Sequence, residues 1–74
     1  MKMVFGTGEV ASICGVHAKT VCKWADSGKL PSYRIPGSRH RRVTRQALMR
    51  FMRDNGVPPD GLAAFDAAGE GERP

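Results

Sequence analysis

The stretch TGEVASICGVHAKTVCKWADSG, residues 7–28, decides the fold because two short helical patterns follow each other across a glycine. The first helix is predicted to be capped by Thr7 and to stop at Gly15. The second is predicted from about His17 to Ser27. A connection of about two residues that includes a glycine forces a sharp crossing, as in a helix-turn-helix. An ordinary αα-hairpin shares this pattern, so both interpretations stay open at this point.

The two sides of the second predicted helix differ in chemistry. Val21, Trp24 and Ala25 recur at helical spacing and predict a buried stripe. The other side is small and basic, which suits a helix that enters a DNA major groove about 12 Å wide. The candidate DNA contacts on this helix are therefore His17, Ala18, Lys19, Thr20 and Lys23.

The segment RIPGSRHRRVTR, residues 34–45, contains five arginines and no carboxylate. The flanking β-favouring runs and the Pro-Gly pair predict a β-hairpin with an exposed loop of about four to six residues. Arginines on a protruding loop can meet several DNA phosphates, or enter a narrow minor groove. A solvated charged loop is the alternative interpretation. The candidate DNA contacts on the hairpin are Arg34, Ser38, Arg39, His40, Arg41 and Arg42.

Successive residues in a strand point to opposite faces, so only one of Arg41 and Arg42 is expected to face DNA. We expect the other to pair with Asp26, or to stack on Trp24 or Tyr33.

A third helix is predicted to start after Thr44 and to end at Asn55-Gly56, with Leu48, Phe51 and Met52 buried. The predicted fold class is α+β and mainly helical: a winged helix-turn-helix of three helices and a short β-hairpin, over residues 1–56. Residues 57–74 are rich in Pro, Gly, Ala and acids, and we predict a linker or disordered tail there.

Charge is divided unevenly along the 74-residue chain, whose net charge is +5. Residues 1–56 carry eleven Lys or Arg against three Asp or Glu, whereas residues 57–74 carry one against four. A basic head favours a polyanionic partner, and double-stranded DNA is the predicted one. A module that binds RNA or an acidic protein is the alternative from another class.

Other functions find less support in the residues. The head's acids are dispersed and no phosphate-binding glycine motif follows a strand, so we predict no enzyme and no cofactor. Cys14, His17 and Cys22 do not have a familiar zinc spacing, even with His40 added. No signal peptide or membrane-spanning run is visible, and a cytoplasmic location is expected.

Five motifs in this order, "GEVA", "GV-x-x-x-TV-x-x-W", "GKLP", "RIPGSRHRR" and a final helix beginning at Thr44, carry a family resemblance. About residues 5–56 closely resemble the excisionase-type, MerR-like winged helix-turn-helix DNA-binding domains. The resemblance implies that the second helix enters a major groove while the wing contacts the backbone and the adjacent minor groove. It further implies a bacterial transcription regulator, in some cases fused to a response-regulator receiver domain, or a phage or plasmid excisionase. Homo-oligomeric or cooperative binding on DNA is expected as well.

Overall fold

A computed structural model describes residues 2–38 and 40–71 and contains four helices and three strands. The chain order is β1 (Val4–Gly6), α1 (Thr7–Cys14), α2 (Ala18–Asp26), β2 (Tyr33–Arg34), β3 (Arg41–Thr44), α3 (Arg45–Asp54) and α4 (Asp60–Gly71). The strands form one antiparallel sheet in the order β1-β3-β2. The α+β class and the helix-turn-helix followed by a wing are as predicted.

The tight turn between α1 and α2 depends on Gly15, whose φ of 72° lies in the left-handed region. The amide of Val16 then donates to the carbonyl of Ala11 at 3.0 Å, which closes the end of α1. At the other end of α1 the cap is Gly6 rather than the predicted Thr7, because the Glu9 carboxylate accepts a hydrogen bond from the Gly6 amide at 2.9 Å.

The wing differs from a lone hairpin because a third strand extends it. β1 pairs with β3, which places Phe5 opposite Val43, and both side chains are fully buried. Residues 35–40 connect β2 to β3, within the predicted loop length. The amide of Ser38 donates to the carbonyl of Ile35 at 2.9 Å, and Gly37 has a φ of 81°. These values fit the predicted type II turn around Pro36-Gly37.

The core lies where α1, α2, α3 and the inner face of the sheet meet. Its fully buried members are Phe5, Val10, Val21, Leu30, Val43 and Leu48. The Trp24 ring packs on Phe51 with centroids 4.9 Å apart, which joins α2 to α3. Thr44 caps α3 as predicted, because its side-chain oxygen accepts the Ala47 amide at 3.1 Å.

The segment expected to be a linker or disordered tail contains the helix α4, Asp60–Gly71. Leu62 is 6% exposed, and the Phe65 ring meets Phe5 edge-on at 5.6 Å. Gly61 permits close approach to α1, because a methyl group there would overlap the carbonyl oxygen of Ile13. The apolar pattern of α4 is one leucine and one phenylalanine among alanines and glycines, which is too short to reveal a helical period.

Buried Arg45 ties α4 to the rest of the domain. Its guanidinium is ion-paired with Asp66, donates to the Lys2 carbonyl at 2.9 Å and lies 6.0 Å from the centre of the Phe5 ring. The hydrogen bonds from Arg45 lower the pKa of the Asp66 carboxyl group. A buried arginine directly after the wing strand thus holds α4 and β1 together.

Candidate nucleic-acid interface

The exposed face of α2 is small and basic near its N-terminus. His17, Ala18, Lys19 and Lys23 are all exposed, and Thr20 is half-buried. His17 is the N-cap, in an extended conformation, and its carbonyl accepts the Thr20 amide at 2.9 Å. The first turn of α2 contains no acidic residue, so the positive end of the helix dipole adds to the charge of the lysines.

A shallow concavity of about 710 Å³ runs along this face of α2. It is lined by His17, Lys19, Thr20, Cys22, Lys23 and Asp26. Asp26 is the carboxylate of this lining, and it lies at the end of α2 farthest from His17. An ion pair with Arg41 compensates its charge. The resulting surface attracts anions.

Arg41 joins the wing to the recognition-helix candidate. Its guanidinium is ion-paired with the Asp26 carboxylate and donates to the main-chain carbonyl of Cys22 at 3.2 Å. The Arg41 side chain is 16% exposed, so it is largely enclosed between β3 and α2. The expected pairing of one wing arginine with Asp26 is therefore present. The basic face of α2 and the wing therefore lie next to each other.

The other arginines of the strands are separated by the alternation of faces. Arg42 of β3 lies opposite Tyr33 of β2 and Gly6 of β1. Arg34 of β2 lies opposite Arg41 of β3 in the strand register. A Cβ atom at Gly6 would lie 3.1 Å from Nη1 of Arg42, so the missing side chain makes room for this guanidinium. Arg34 is exposed and Arg42 is half-buried. Arg41 and Arg42 therefore serve opposite faces of the sheet.

The wing loop presents His40 to solvent and holds Ser38 in a partly buried position. The Ser38 hydroxyl accepts the His40 amide at 3.1 Å, which shapes the loop after the Pro36-Gly37 turn. Arg39, also predicted to contact DNA, lies outside the described residues. Ile35 is 43% exposed beside the same turn, an apolar residue that the charge-based prediction did not single out.

The anchor for Arg41 on α2 was only half foreseen from the sequence. Asp26 was a candidate partner, but the Cys22 main-chain carbonyl was not, because a backbone acceptor leaves no mark on residue type. Gly6 and Arg45 were missed as well. From the sequence alone, Arg45 cannot be told from an exposed arginine, because its partner Asp66 lies twenty-one positions later.

The two cysteines and two histidines do not assemble in the part of the chain that the structure covers. Across residues 2–38 and 40–71, no group of three or more His, Cys, Asp or Glu side chains could hold a metal ion. Burial raises the pKa of the Cys14 thiol, which disfavours the thiolate that metals and oxidants require.

Over residues 2–38 and 40–71, none of the helices is both long and apolar enough to cross a membrane.

Part of this chain is similar to a known protein. The protein named Transcriptional repressor DcmR, from Methylorubrum extorquens, is 41% identical over 44 residues. The match covers 60% of this chain but 17% of that relative, so the chain spans a small part of the relative's length. No solved structure matches the chain. The family described as Helix-turn-helix domain matches residues 4–56, well over half of the chain, and the chain belongs to this family.

Proposed function

We propose that this chain binds double-stranded DNA, with α2 in a major groove and the wing on the neighbouring backbone and minor groove. The observation that carries the proposal is the contact of Arg41 with Asp26 and with the Cys22 carbonyl. This contact keeps the wing strand beside the helix that exposes Lys19 and Lys23. One duplex can therefore meet both basic surfaces.

The side chains divide by role. Ala18, Lys19 and Lys23 face outward on α2 and are proposed to meet base edges. Arg41 has donors already engaged within the domain and acts chiefly as a positioning residue. The proposed phosphate contacts are His17, Thr20, Arg34, Ser38, Arg39, His40 and Arg42.

The biological role proposed for the chain is DNA binding in a bacterial transcription regulator. Its similarity to a protein named as a transcriptional repressor supports this role. A phage or plasmid excisionase is the second candidate, because the order of motifs resembles that type of domain. A single domain of this kind buries on the order of 600–1,000 Å² against DNA. Two or more copies are therefore proposed to bind together at a specific site.

The first test is fluorescence anisotropy with a DNA duplex selected from random sequences, at several salt concentrations. We expect Arg34→Ala to reduce the slope of log affinity against log salt by about one, because one phosphate contact is lost. Lys19→Ala should change sequence preference more than it weakens binding to random duplex. Arg50→Ala, a change of equal charge on α3, is the matched control and should leave the slope unchanged.

Competition with single-stranded RNA of the same length separates the DNA proposal from the RNA alternative. Preference for that RNA over duplex at every salt concentration would contradict it. So would equal effects of the Arg34 and Arg50 substitutions.

A further inference from the structure

An apolar groove with a basic rim lies between α3 and α4, with a volume of about 570 Å³. Its floor is formed by Met49, Met52, Val57 and Leu62, and its rim carries Arg50 and Arg53. This volume lies within the roughly 300–1,000 Å³ of pockets that accept apolar ligand groups. The groove can thus seat side chains from another molecule.

Two residues of the groove, Met49 and Arg53, have side chains that are available to contact another molecule. Met49 is 51% exposed, although its side chain is large and apolar. Methionine is flexible and polarisable, and it is common at surfaces that accept varied apolar partners. Arg53 is 76% exposed, and its contact with Asp54 is 3.7 Å long between two exposed groups. Such a pair contributes little, so Arg53 can turn toward an external carboxylate.

The groove faces away from the proposed DNA surface. Phe51, on the inner side of α3, meets Trp24 of α2 at 4.9 Å. Met49 and Arg53, four residues apart, lie on the opposite side of α3, and Arg50 lies between the two sides. A duplex on α2 and the wing therefore leaves the groove uncovered.

A second copy of this chain complements the groove poorly. Besides Met49, the large apolar side chains exposed in the described residues are Met3, Tyr33 and Ile35. Tyr33 and Ile35 lie on the basic wing, whose charge repels an arginine rim. The exposed residues of α4 over positions 62–68 are alanines, namely Ala63, Ala64, Ala67 and Ala68, and these are too small to fill the groove.

We infer that the groove binds an amphipathic helix of a protein partner, one that carries large apolar side chains flanked by Asp or Glu. The apolar side chains enter over Met49, Met52 and Leu62, and the carboxylates pair with Arg50 and Arg53. This is the helix-in-groove mode of recognition, with charge complementarity at the rim giving selectivity. Binding leaves α2 and the wing available to DNA.

The test uses the whole 74-residue chain and three labelled synthetic helices of about 18 residues, long enough to form a helix in isolation. The first has a leucine stripe flanked by glutamates, the second has lysines in place of the glutamates, and the third has the leucines scrambled. Fluorescence anisotropy gives affinity, and amide chemical shifts give the site. We expect the first peptide to bind best and to shift resonances of α3 and α4.

Substitutions then separate the groove from general electrostatic attraction. Met49→Asp and the double change Arg50→Glu with Arg53→Glu should each weaken the acidic peptide about tenfold, while Met49→Leu should bind as the parent does. Lys19→Glu is the matched control: it should weaken DNA binding and keep peptide binding. Met49 and Arg53 are exposed, so the variants should stay folded, which circular dichroism checks.

Several results would overturn the inference. They are absence of binding to the acidic peptide, equal binding of all three peptides, and chemical shifts confined to α2 and the wing. Self-association of the chain that Met49→Asp abolishes would assign the groove to a second copy instead. Loss of DNA binding alone would refute the proposed function and leave the groove assignment standing.

Discussion

Gly61→Ala gives the sharpest test of whether α4 packs against the domain. Gly61 is the second residue of α4, and an alanine methyl group there would overlap the Ile13 carbonyl oxygen and lie 3.1 Å from its carbonyl carbon. The obstacle is main chain, so it cannot move aside as a flexible side chain would. α4 must shift outward and loosen the packing of Leu62 and Phe65.

The two possible states of α4 predict opposite signs for this substitution. In a helix without neighbours, replacing Gly by Ala stabilises by about 0.5–1 kcal/mol. In the docked helix we expect the free energy of unfolding to fall by about 2 kcal/mol, because overpacking typically costs 1–3 kcal/mol. For a domain of this size that corresponds to a fall in Tm of roughly 8–16 °C.

The matched control is Gly8→Ala, since Gly8 is the second residue of α1 and has nothing within 4 Å of the position of an added methyl group. Urea unfolding followed by circular dichroism measures both variants beside the parent. We expect Gly8→Ala to be neutral or stabilising and Gly61→Ala to be destabilising. If Gly61→Ala stabilises the protein as much as Gly8→Ala does, then α4 is not docked on α1.

Three further predictions concern stability. The ion pair between Asp66 and Arg45 contributes fully to the free energy of unfolding above the ordinary aspartate pKa of 3.8, and the contribution is lost as pH falls through the lowered pKa of Asp66. Asp66→Asn lacks this contribution, so its acid unfolding should begin at a higher pH than that of the parent, as circular dichroism would record. Thr44→Ala should remove the α3 cap at a cost of about 1 kcal/mol in urea unfolding, whereas Thr44→Ser should keep most of it. Trp24→Ala should lower the free energy of unfolding by about 3 kcal/mol, because its contact with Phe51 is lost, and thermal unfolding followed by circular dichroism would measure this. A change below about 0.5 kcal/mol in either of the last two would contradict the packing described.

The helix-turn-helix could be predicted because its signals are local. Gly15 marks the left-handed turn, Val21 and Trp24 mark the buried face of α2, and Thr44 marks the start of α3. Each depends on residues within one or two helical turns of one another, so residue type and spacing suffice. The Pro36-Gly37 turn belongs to the same class.

The parts that escaped prediction depend on distant partners. β1 joins the sheet through pairing with β3, about forty positions away, and short strands have no period of their own. α4 docks through Gly61, Phe65 and Asp66, whose partners Ile13, Phe5 and Arg45 come from three earlier elements. In the candidate site, the residue types of α2 and the wing were foreseeable, whereas the anchoring of Arg41 on a main-chain carbonyl was not.

Because of the way Arg41 is anchored on α2, the position of the wing and the outward side chains of α2 can change independently during evolution. Half of the anchor is the Cys22 main-chain carbonyl, which any residue at that position would supply, and the other half is Asp26 in the last turn. Neither depends on the identity of residues 18, 19 or 23. The outward side chains of α2 are therefore open to exchange while the wing keeps its place, so under the proposed function a few surface changes give the same scaffold a new target preference.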